Sequence, residues 1–393
     1  MQCDPKGQTL HPQENTGLSV FLQKEKERPR ETVRPGKKYG MQTTVLFRII
    51  EEAAVEKIDF VLPWVDGGDP QWQMERKRYD ADRAGAADGD ANNDCRYRDF
   101  GLLRYWFRSV ERFAPWVNRI FFVTCGQKPD WLNESNPKLR LVRHDEYIPA
   151  DCLPTFHSNT IELNLHRIPD LSEQFVLFND DMFLLHPLSP AFFFRGGLPV
   201  IPCDLGIPRW LGNTNISRIV LNNSGVLKQC IDVDKAVWRN IGKFTDVRAL
   251  GFARAAKNIA SFAVNRVVIP GTFGHLAHAH LKSTFGEIWR AQPHVLETTS
   301  RSRFRSDDCV NHWLACAWDM FSGRFHPANE KRRGLFIMID EADLPRICGV
   351  IRKQTFPQIC LNDKISGPEL EKCLAEVAGA FEELLPERSS FEK

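Results

Sequence analysis

The chain carries the stretch QFVLFNDDMFLL at residues 174–185, in which two adjacent carboxylates interrupt an apolar run. The apolar residues on both sides predict a buried β-strand. Because strand side chains alternate between faces, Asp180 and Asp181 cannot both point into solvent by default, and a buried charge is costly unless something compensates it. A divalent cation held by oxygen ligands would do so, most often at the C-terminal edge of a parallel sheet. We therefore predict a metal site with Asp180 and Asp181 as ligands, against the alternative of an ordinary strand-end turn.

The composition of the 393 residues is that of an ordinary globular protein, with 42% hydrophobic and 26% charged residues. Lys and Arg total 52 against 50 Asp and Glu, and this near balance argues against a nucleic-acid-binding protein. No stretch approaches the roughly 18 uncharged apolar residues of a membrane helix. The N-terminal residues are polar and lack the pattern of a signal peptide, so we expect a cytoplasmic protein.

The 11 cysteines are scattered along the chain without a Cys-x-x-Cys pair. That distribution disfavours a zinc ribbon and a compact disulfide scaffold. An odd count without an export signal predicts reduced thiols, which we interpret as packing residues.

Composition also divides the chain into parts. Residues 1–55 are rich in Pro, Gln, Lys, Glu and Arg, and they predict a disordered extension. Residues 56–365 form the predicted main domain, with an α/β core over 56–200 and a helical second half over 201–365. Residues 366–393 contain an amphipathic helix and a short tail.

Strands and helices alternate in the predicted core. Apolar runs at residues 58–62, 119–124 and 139–142 predict strands that precede the strand at 174–185. This order is typical of an α/β fold with a mostly parallel sheet. Each strand ends in a polar turn, which indicates one shared site along one edge of the sheet.

A glycine-containing loop with Trp64, Asp66 and Gly67 follows the first predicted strand. Glycine there allows backbone amides to approach a phosphate, and Trp64 could stack on a nucleotide base. The loop matches neither a Rossmann fingerprint nor a P-loop, so a simple tight turn is an equal alternative.

His275, His278 and His280 are closely spaced in the second half. They could bind zinc, but neither Cys nor carboxylate lies at ligand spacing beside them, which makes a structural zinc protein the least favoured class. A His near a diphosphate and a metal is better suited to act as a general base, because its pKa lies near neutrality. Glu162 falls in a predicted helix, where it either faces the sheet edge or is a solvated helix carboxylate.

A basic segment contains Arg301, Arg303 and Arg305. Guanidinium groups match phosphate oxygens and neutralise charge during phosphoryl transfer. The alternative for this segment is an exposed basic loop.

These segments, taken in order, resemble the Stealth family of hexose-1-phosphate transferases. The resemblance rests on four blocks: IDFVLPWVDG at 58–67, a block from 103 to 181 that ends in Asn-Asp-Asp, a block from 274 to about 321, and ICLND at 359–363. Four ordered blocks are more specific than any one motif. The resemblance implies a nucleotide-sugar transferase-like core, Rossmannoid and similar to GT-A, followed by a helical part on the acceptor side.

The resemblance also implies site residues. The expected catalytic residues are Glu162, Asp181, His275 and Arg305, and the expected metal ligands are Asp180 and Asp181. The residues expected to bind substrate are Trp64, Asp66, Gly67, Arg104, Asn179, His278 and Arg303.

A member of this family moves a sugar with its attached phosphate from a UDP-N-acetylhexosamine to a hydroxyl of an acceptor saccharide, and releases UMP. Attack at the β-phosphorus forms a phosphodiester, with Mg²⁺ or Mn²⁺ bridging the diphosphate. By this resemblance Arg305 stabilises charge on the phosphoryl group, and His275 takes the acceptor proton, with Glu162 as an alternative base.

The biological setting implied is bacterial capsule or exopolysaccharide synthesis, with peripheral association with the export machinery at the inner face of the membrane. The alternative is a metal-dependent glycosyltransferase that forms a glycosidic bond and releases UDP. A carbohydrate-binding module that uses the 10 Trp residues as sugar platforms is disfavoured, because paired carboxylates beside an Arg cluster serve no purpose in binding a neutral sugar.

Overall fold

Short strands and helices alternate along the described chain. In the computed structural model the described residues are 57–79, 92, 94–206, 215–264, 269–270, 273–363 and 365–393. The extension predicted at 1–55 lies outside them. The strands are β1 (Ile58–Pro63), β2 (Ile120–Thr124), β3 (Leu139–Arg143), β4 (Gln174–Leu177), β5 (Met182–Leu184), β6 (Phe194–Arg195), β7 (Leu198–Pro202), β8 (Leu205–Gly206), β9 (Ile269–Pro270), β10 (His278–Leu281), β11 (His326–Ala328), β12 (Leu335–Ile339) and β13 (Gln358–Asp363). The α-helices are α1 (Pro70–Arg78), α2 (Leu103–Phe113), α3 (Ser158–Leu163), α4 (Asn215–Cys230), α5 (Val233–Arg239), α6 (Ile241–Phe244), α7 (Val247–Leu250), α8 (Phe252–Val264), α9 (Lys282–Ala291), α10 (Pro293–Arg301), α11 (Trp313–Phe321), α12 (Leu344–Lys353) and α13 (Pro368–Leu384).

The central sheet has five strands in the order β10–β4–β1–β2–β3. Strand β1 pairs in parallel with β2 and β4, and β2 pairs in parallel with β3, whereas β10 runs antiparallel to β4. Parallel neighbours need crossover connections, which helices α2 and α3 help to supply. The predicted α/β fold with a mostly parallel sheet is confirmed.

Apolar residues cover both faces of this sheet, which is why its strands are nearly continuous hydrophobic runs. Phe60 and Phe122 belong to one buried cluster, together with Trp106 of α2. Val61 and Phe121, the alternate residues of the same strands, belong to a second cluster. A sheet packed on both faces leaves the ends of its strands for polar chemistry.

The run at 174–185 is not the single strand that its apolar character predicts. Strands β4 and β5 belong to different sheets. Between them Met182 donates its amide hydrogen to the carbonyl of Asn179 at 3.1 Å, which closes a turn. Strand β5 then pairs with β13, where Leu361 donates to the carbonyl of Asp181 at 2.8 Å. Both apolar halves are buried because each lies in its own sheet.

The second half is helical as predicted, but it also contributes strands to sheets that begin in the first half. Strand β10 joins the central sheet, β12 and β13 extend β5, and β11 pairs with β7. The predicted C-terminal helix is α13, which packs Phe381 against Phe183 of β5 at 4.7 Å between ring centroids. Within the described ranges, no helix has the length and apolar character needed to cross a membrane.

Candidate active site

A cleft lies at the C-terminal ends of the parallel strands of the central sheet. Trp64 follows β1, Cys125 follows β2, His144 follows β3 and the turn at 179–181 follows β4, and all of them line the cleft. The space between the walls, including the open mouth, is about 1220 Å³, which is large enough for a small-molecule ligand. The position agrees with the rule that ligands bind outside the carboxyl ends of parallel strands.

His275 lies against the turn at 179–181. Its Nε2 is 3.3 Å from Asn179 Nδ2 and 3.5 Å from Asp181 Oδ2. Burial, the largest single effect, would lower the pKa of His275, but the charge and hydrogen bond of Asp181 together with the charge of Glu162 outweigh it, so the pKa is raised above its usual value. The turn that carries the paired carboxylates therefore also orients the histidine.

Helix α3 places Ser158 and Glu162, one helical turn apart, at the cleft wall. Arg305 Nη2 donates to Ser158 Oγ at 3.0 Å. The backbone of Arg305 is fixed by Asn92, which accepts from its amide and donates to its carbonyl, each at 3.1 Å. Burial raises the pKa of Glu162 to about 7, against the opposing attraction of Arg305 and His275. A carboxyl group with this pKa can accept and release a proton near neutral pH.

One of the paired carboxylates keeps an oxygen without a partner in the described part of the chain, and the other is crowded by like charges. Asp181 Oδ1 is buried and has no hydrogen-bond partner among the described residues. Burial, and then the charges of Asp181 and Asp99, raise the pKa of Asp180 well above its usual value. Asp181, His275 and Cys360 each place one ligand atom within 4.8 Å of the others. Crowded carboxylates with an unpartnered buried oxygen fit a divalent cation.

The structure thus brings most of the sequence-predicted site residues to one cleft. These residues are Trp64, Glu162, Asn179, Asp180, Asp181, His275 and Arg305. They come from separate elements of the chain and meet because the parallel strand ends share one edge.

The glycine loop after β1 is used within the protein. Gly67 donates its amide hydrogen to the carbonyl of Tyr97 at 2.9 Å, and a Cβ at this position would lie 2.2 Å from the same oxygen. Asp66 accepts the amide hydrogen of Gly68 at 2.8 Å. Glycine is therefore required at position 67 by contact with Tyr97, which itself lines the cleft.

Other predicted substrate ligands have contacts away from the cleft wall. The guanidinium of Arg104 lies 5.3 Å from the ring of Trp131, and that of Arg303 lies 4.6 Å from the ring of Tyr79. His278 is buried within β10, with 5% of its surface exposed. The roles of these residues in substrate binding stay predictions.

Sequence reasoning missed the segment at 95–100, which lines the cleft beside the glycine loop. Arg98 in this segment forms an ion pair with Asp363 at the end of β13. The charged sequence around it shows no periodicity, and such a stretch usually indicates an exposed loop. Asp363 could have been found, because it ends the block ICLND on which the family resemblance rests.

Two conserved regions of a known family match the chain. Conserved region 1 of the Stealth proteins matches residues 56–84, and conserved region 2 matches residues 96–199. The second region contains the turn at 179–181 as well as Glu162.

Several bacterial proteins are similar to this chain along nearly their whole length. The capsular polysaccharide phosphotransferase WcwK of Streptococcus pneumoniae is 38% identical over 346 residues, which cover 86% of this chain and 100% of WcwK. The receptor polysaccharide phosphotransferase WefC of Streptococcus oralis is 39% identical over 344 residues, which cover 86% of this chain and 100% of WefC. The exopolysaccharide phosphotransferase cps2G of Lactiplantibacillus plantarum is 31% identical over 354 residues, with 86% and 96% covered.

A solved structure of the galactosyltransferase LgtC, with donor and acceptor sugar analogs, aligns with 84% of this chain and 96% of LgtC. The TM-score is 0.36 and the identity 11%, a likeness too weak to support a conclusion. The sequence relatives are much closer, at 31 to 39% identity over most of both chains. By its conserved regions and by these relatives, the chain belongs to the Stealth protein family.

Proposed function

We propose that this protein is a phosphotransferase that moves an N-acetylhexosamine-1-phosphate from a UDP-N-acetylhexosamine to a hydroxyl of an acceptor saccharide, with release of UMP. The observation that carries the proposal is the convergence of Glu162, Asp181, His275 and Arg305 on one cleft. The relatives, named as polysaccharide phosphotransferases, support the class of reaction and its setting in capsule or exopolysaccharide synthesis.

The reaction exchanges one phosphorus–oxygen bond for another. The acceptor oxygen bonds to the β-phosphorus, and the bond from that phosphorus to the bridging oxygen breaks, so the electron pair leaves with UMP. Arg305, which is held by Ser158, faces this chemistry from the cleft wall and neutralises charge on the transferring phosphoryl group.

His275 takes the proton of the acceptor hydroxyl, with Glu162 as the alternative base. Asn179 and Asp181 orient His275, and burial gives Glu162 a pKa of about 7. Both groups are therefore suited to proton transfer near neutral pH.

Asp180 and Asp181 are the residues that would hold Mg²⁺ or Mn²⁺. The support is the buried, unpartnered Oδ1 of Asp181 and the crowding of the Asp180 carboxyl by like charges. When bound, the cation supplies charge neutralisation for the donor diphosphate.

We further propose that the protein acts in the cytoplasm, associated peripherally with the export machinery at the inner face of the cell membrane. Peripheral attachment through charged groups weakens with salt. Cell fractions prepared at low and high salt test this point, and a membrane-bound pool that resists high salt would contradict it.

Product analysis tests the reaction. The full chain is incubated with Mg²⁺, UDP-N-acetylglucosamine or UDP-N-acetylgalactosamine, and an acceptor saccharide, and the products are examined by phosphorus NMR and nucleotide chromatography. We expect a phosphodiester signal in the saccharide and release of UMP, both dependent on the acceptor. Release of UDP with a phosphorus-free product would contradict the proposal and identify a glycosyltransferase. Arg305→Ala serves as the inactive control.

A further inference from the structure

A buried cluster of nitrogen and sulfur ligands lies outside the residues that line the cleft. It consists of His280 on β10, His312 immediately before α11, and Cys316 on α11. His280 Nε2 is 3.1 Å from His312 Nδ1, and Cys316 Sγ is 3.9 Å from His280 Nδ1. One ligand atom from each residue lies within 4.8 Å of the other two.

Local geometry aims these side chains at one point. His312 and Cys316 are four residues apart at the start of a helix, so they share one helical face. His278 and His280 alternate with Ala279 on a strand, so both rings lie on the same face of β10.

The surroundings of the cluster are apolar. His280 is fully buried and Cys316 is 1% exposed, and the ring of His280 packs between Phe175 and Phe285 at 5.5 and 5.3 Å.

We propose that His280, His312 and Cys316 bind a structural Zn²⁺ ion that joins β10 to α11. Imidazole and thiolate are the ligands that zinc prefers, and zinc bond lengths separate neighbouring ligand atoms by about 3.3 to 3.7 Å. One ligand atom from each of the three residues lies within 4.8 Å of the other two, so a small contraction would bring all three to that separation. The ten cysteines of the described chain are free thiols, so Cys316 is available as a ligand.

His278 lies beside the cluster, on the same strand as His280. Its Nε2 contacts the carbonyl of Gly274 at 2.8 Å, and its ring centroid is 5.3 Å from that of His312. Asp319, less than one turn beyond Cys316, is buried and already pairs with Arg324 at 3.0 Å.

The ion would tie together the two segments that carry cleft residues of the second half. Strand β10 begins shortly after His275, and His312 follows Arg305 by seven residues. The ion would therefore position these segments without taking part in the chemistry. The zinc site does not depend on the proposed reaction.

Metal analysis of the full chain, purified without a histidine tag and dialysed against a weak chelator, tests the proposal. We expect about one zinc per chain by mass spectrometry. Cys316→Ala should lower zinc content by about tenfold or more. Cys373→Ala, which removes a fully buried cysteine of α13, should leave it unchanged. Asp180→Asn/Asp181→Asn should also leave it unchanged, which separates this site from the cleft.

Cobalt titration of the metal-stripped wild-type chain gives a second readout that does not depend on a variant folding. A thiolate-to-cobalt absorption band that Zn²⁺ abolishes would support the site. Wild-type chain that contains no zinc and shows no such band overturns the proposal, as does a folded Cys316→Ala variant that keeps its zinc.

Discussion

The two ends of the central sheet each hold a buried carboxylate, and the two differ in the hydrogen bonds that the protein donates to them. At the N-terminal end Asp59 of β1 is fully buried, and it accepts hydrogen bonds from Asn118 Nδ2 at 2.6 Å, from the Arg119 amide at 3.1 Å and from the Ser172 amide at 2.8 Å. At the C-terminal end Asp181 keeps a buried Oδ1 without a partner among the described residues. The strands that lead to the two acids, β1 and β4, are parallel neighbours.

The contrast separates an acid that the protein itself stabilises from one that we propose to be functional. A buried charge is tolerated when the protein supplies donors, as it does for Asp59. Where the protein supplies no hydrogen-bond donor, the charge has to be neutralised by a group that is not part of the chain, such as a cation. The same substitution at both positions therefore tests the distinction directly.

Asp181→Asn should have the largest effect on the reaction. Loss of a carboxylate that holds the cation should lower kcat by roughly 10³-fold. The melting temperature without metal should fall less than that of Asp59→Asn, because among the described residues Oδ1 has no protein partner to lose, and Oδ2 loses its contact with His275 at 3.5 Å. Turnover assays and thermal melts measure the two quantities. A variant that loses as much stability as Asp59→Asn, as well as activity, would put Asp181 in the same class as Asp59 and remove the contrast.

Asp59→Asn should have the opposite profile. The new amide group faces hydrogen-bond donors, so we expect the free energy of unfolding to fall by about 3 kcal/mol. Because Asp59 lies at the far end of the sheet, kcat of the folded protein should stay at the wild-type value. Chemical denaturation gives the first quantity, and turnover at a temperature where the variant is fully folded gives the second. An unchanged unfolding midpoint would show that the three donors contribute nothing.

Glu162→Gln should change how the stability of the protein depends on pH, because Glu162 is a buried carboxyl group of the cleft wall. The pKa of Glu162 is about 7 in the folded chain against 4.5 for an ordinary Glu. Between these values the folded protein holds a proton that the unfolded chain has released, so this group makes stability fall as pH rises toward 7. The variant lacks that loss of stability. Above pH 7 its free energy of unfolding should therefore exceed that of the wild type by at most about 3 kcal/mol, and the difference should vanish near pH 4.5.

Denaturation at pH 5, 6, 7 and 8 measures the difference. Glu297→Gln, in α10, is the matched control: its side chain is 47% exposed and lies 3.7 Å from Arg301, so this variant should show no such trend. Glu162 also affects the reaction if it is the base. The wild-type rate should then rise with pH through about 7, as the Glu162 carboxyl loses its proton. A stability difference that is constant across the series would contradict the buried, protonated state of Glu162.

The functional end of the sheet could be predicted from sequence because it depends on a topological rule. Parallel strands bring their carboxyl ends together, so the polar residues that follow β1 and β4 had to meet. Glu162 and Arg305 lie far from these strand ends in sequence, and their place in the cleft was expected only from the order of the family motifs. The fold class followed from the apolar runs alone.

Contacts that depend on distant partners could not be predicted. The run at 174–185 reads the same whether it is one strand or two, because its division depends on pairing with β13 much later in the chain. Gly67 shows no sign that it packs against Tyr97. His280 and Cys316 are 36 positions apart, so spacing arguments, which compare near neighbours, could not join them.

The stability gained on Mg²⁺ binding should be the smallest of these effects. It should also distinguish most sharply between Asp59 and Asp181, at the two ends of the sheet. At a Mg²⁺ concentration tenfold above its dissociation constant, the wild type should gain about 1.4 kcal/mol of stability. Asp59→Asn should gain the same amount over its own lower baseline, because its cation ligands are intact. Asp181→Asn should gain nothing at that concentration. Thermal melts of the three proteins across a Mg²⁺ titration measure this, with Na⁺ at equal ionic strength as the control for screening. An equal shift for Asp181→Asn would place the cation elsewhere, and the unpartnered oxygen at the end of β4 would then need another explanation.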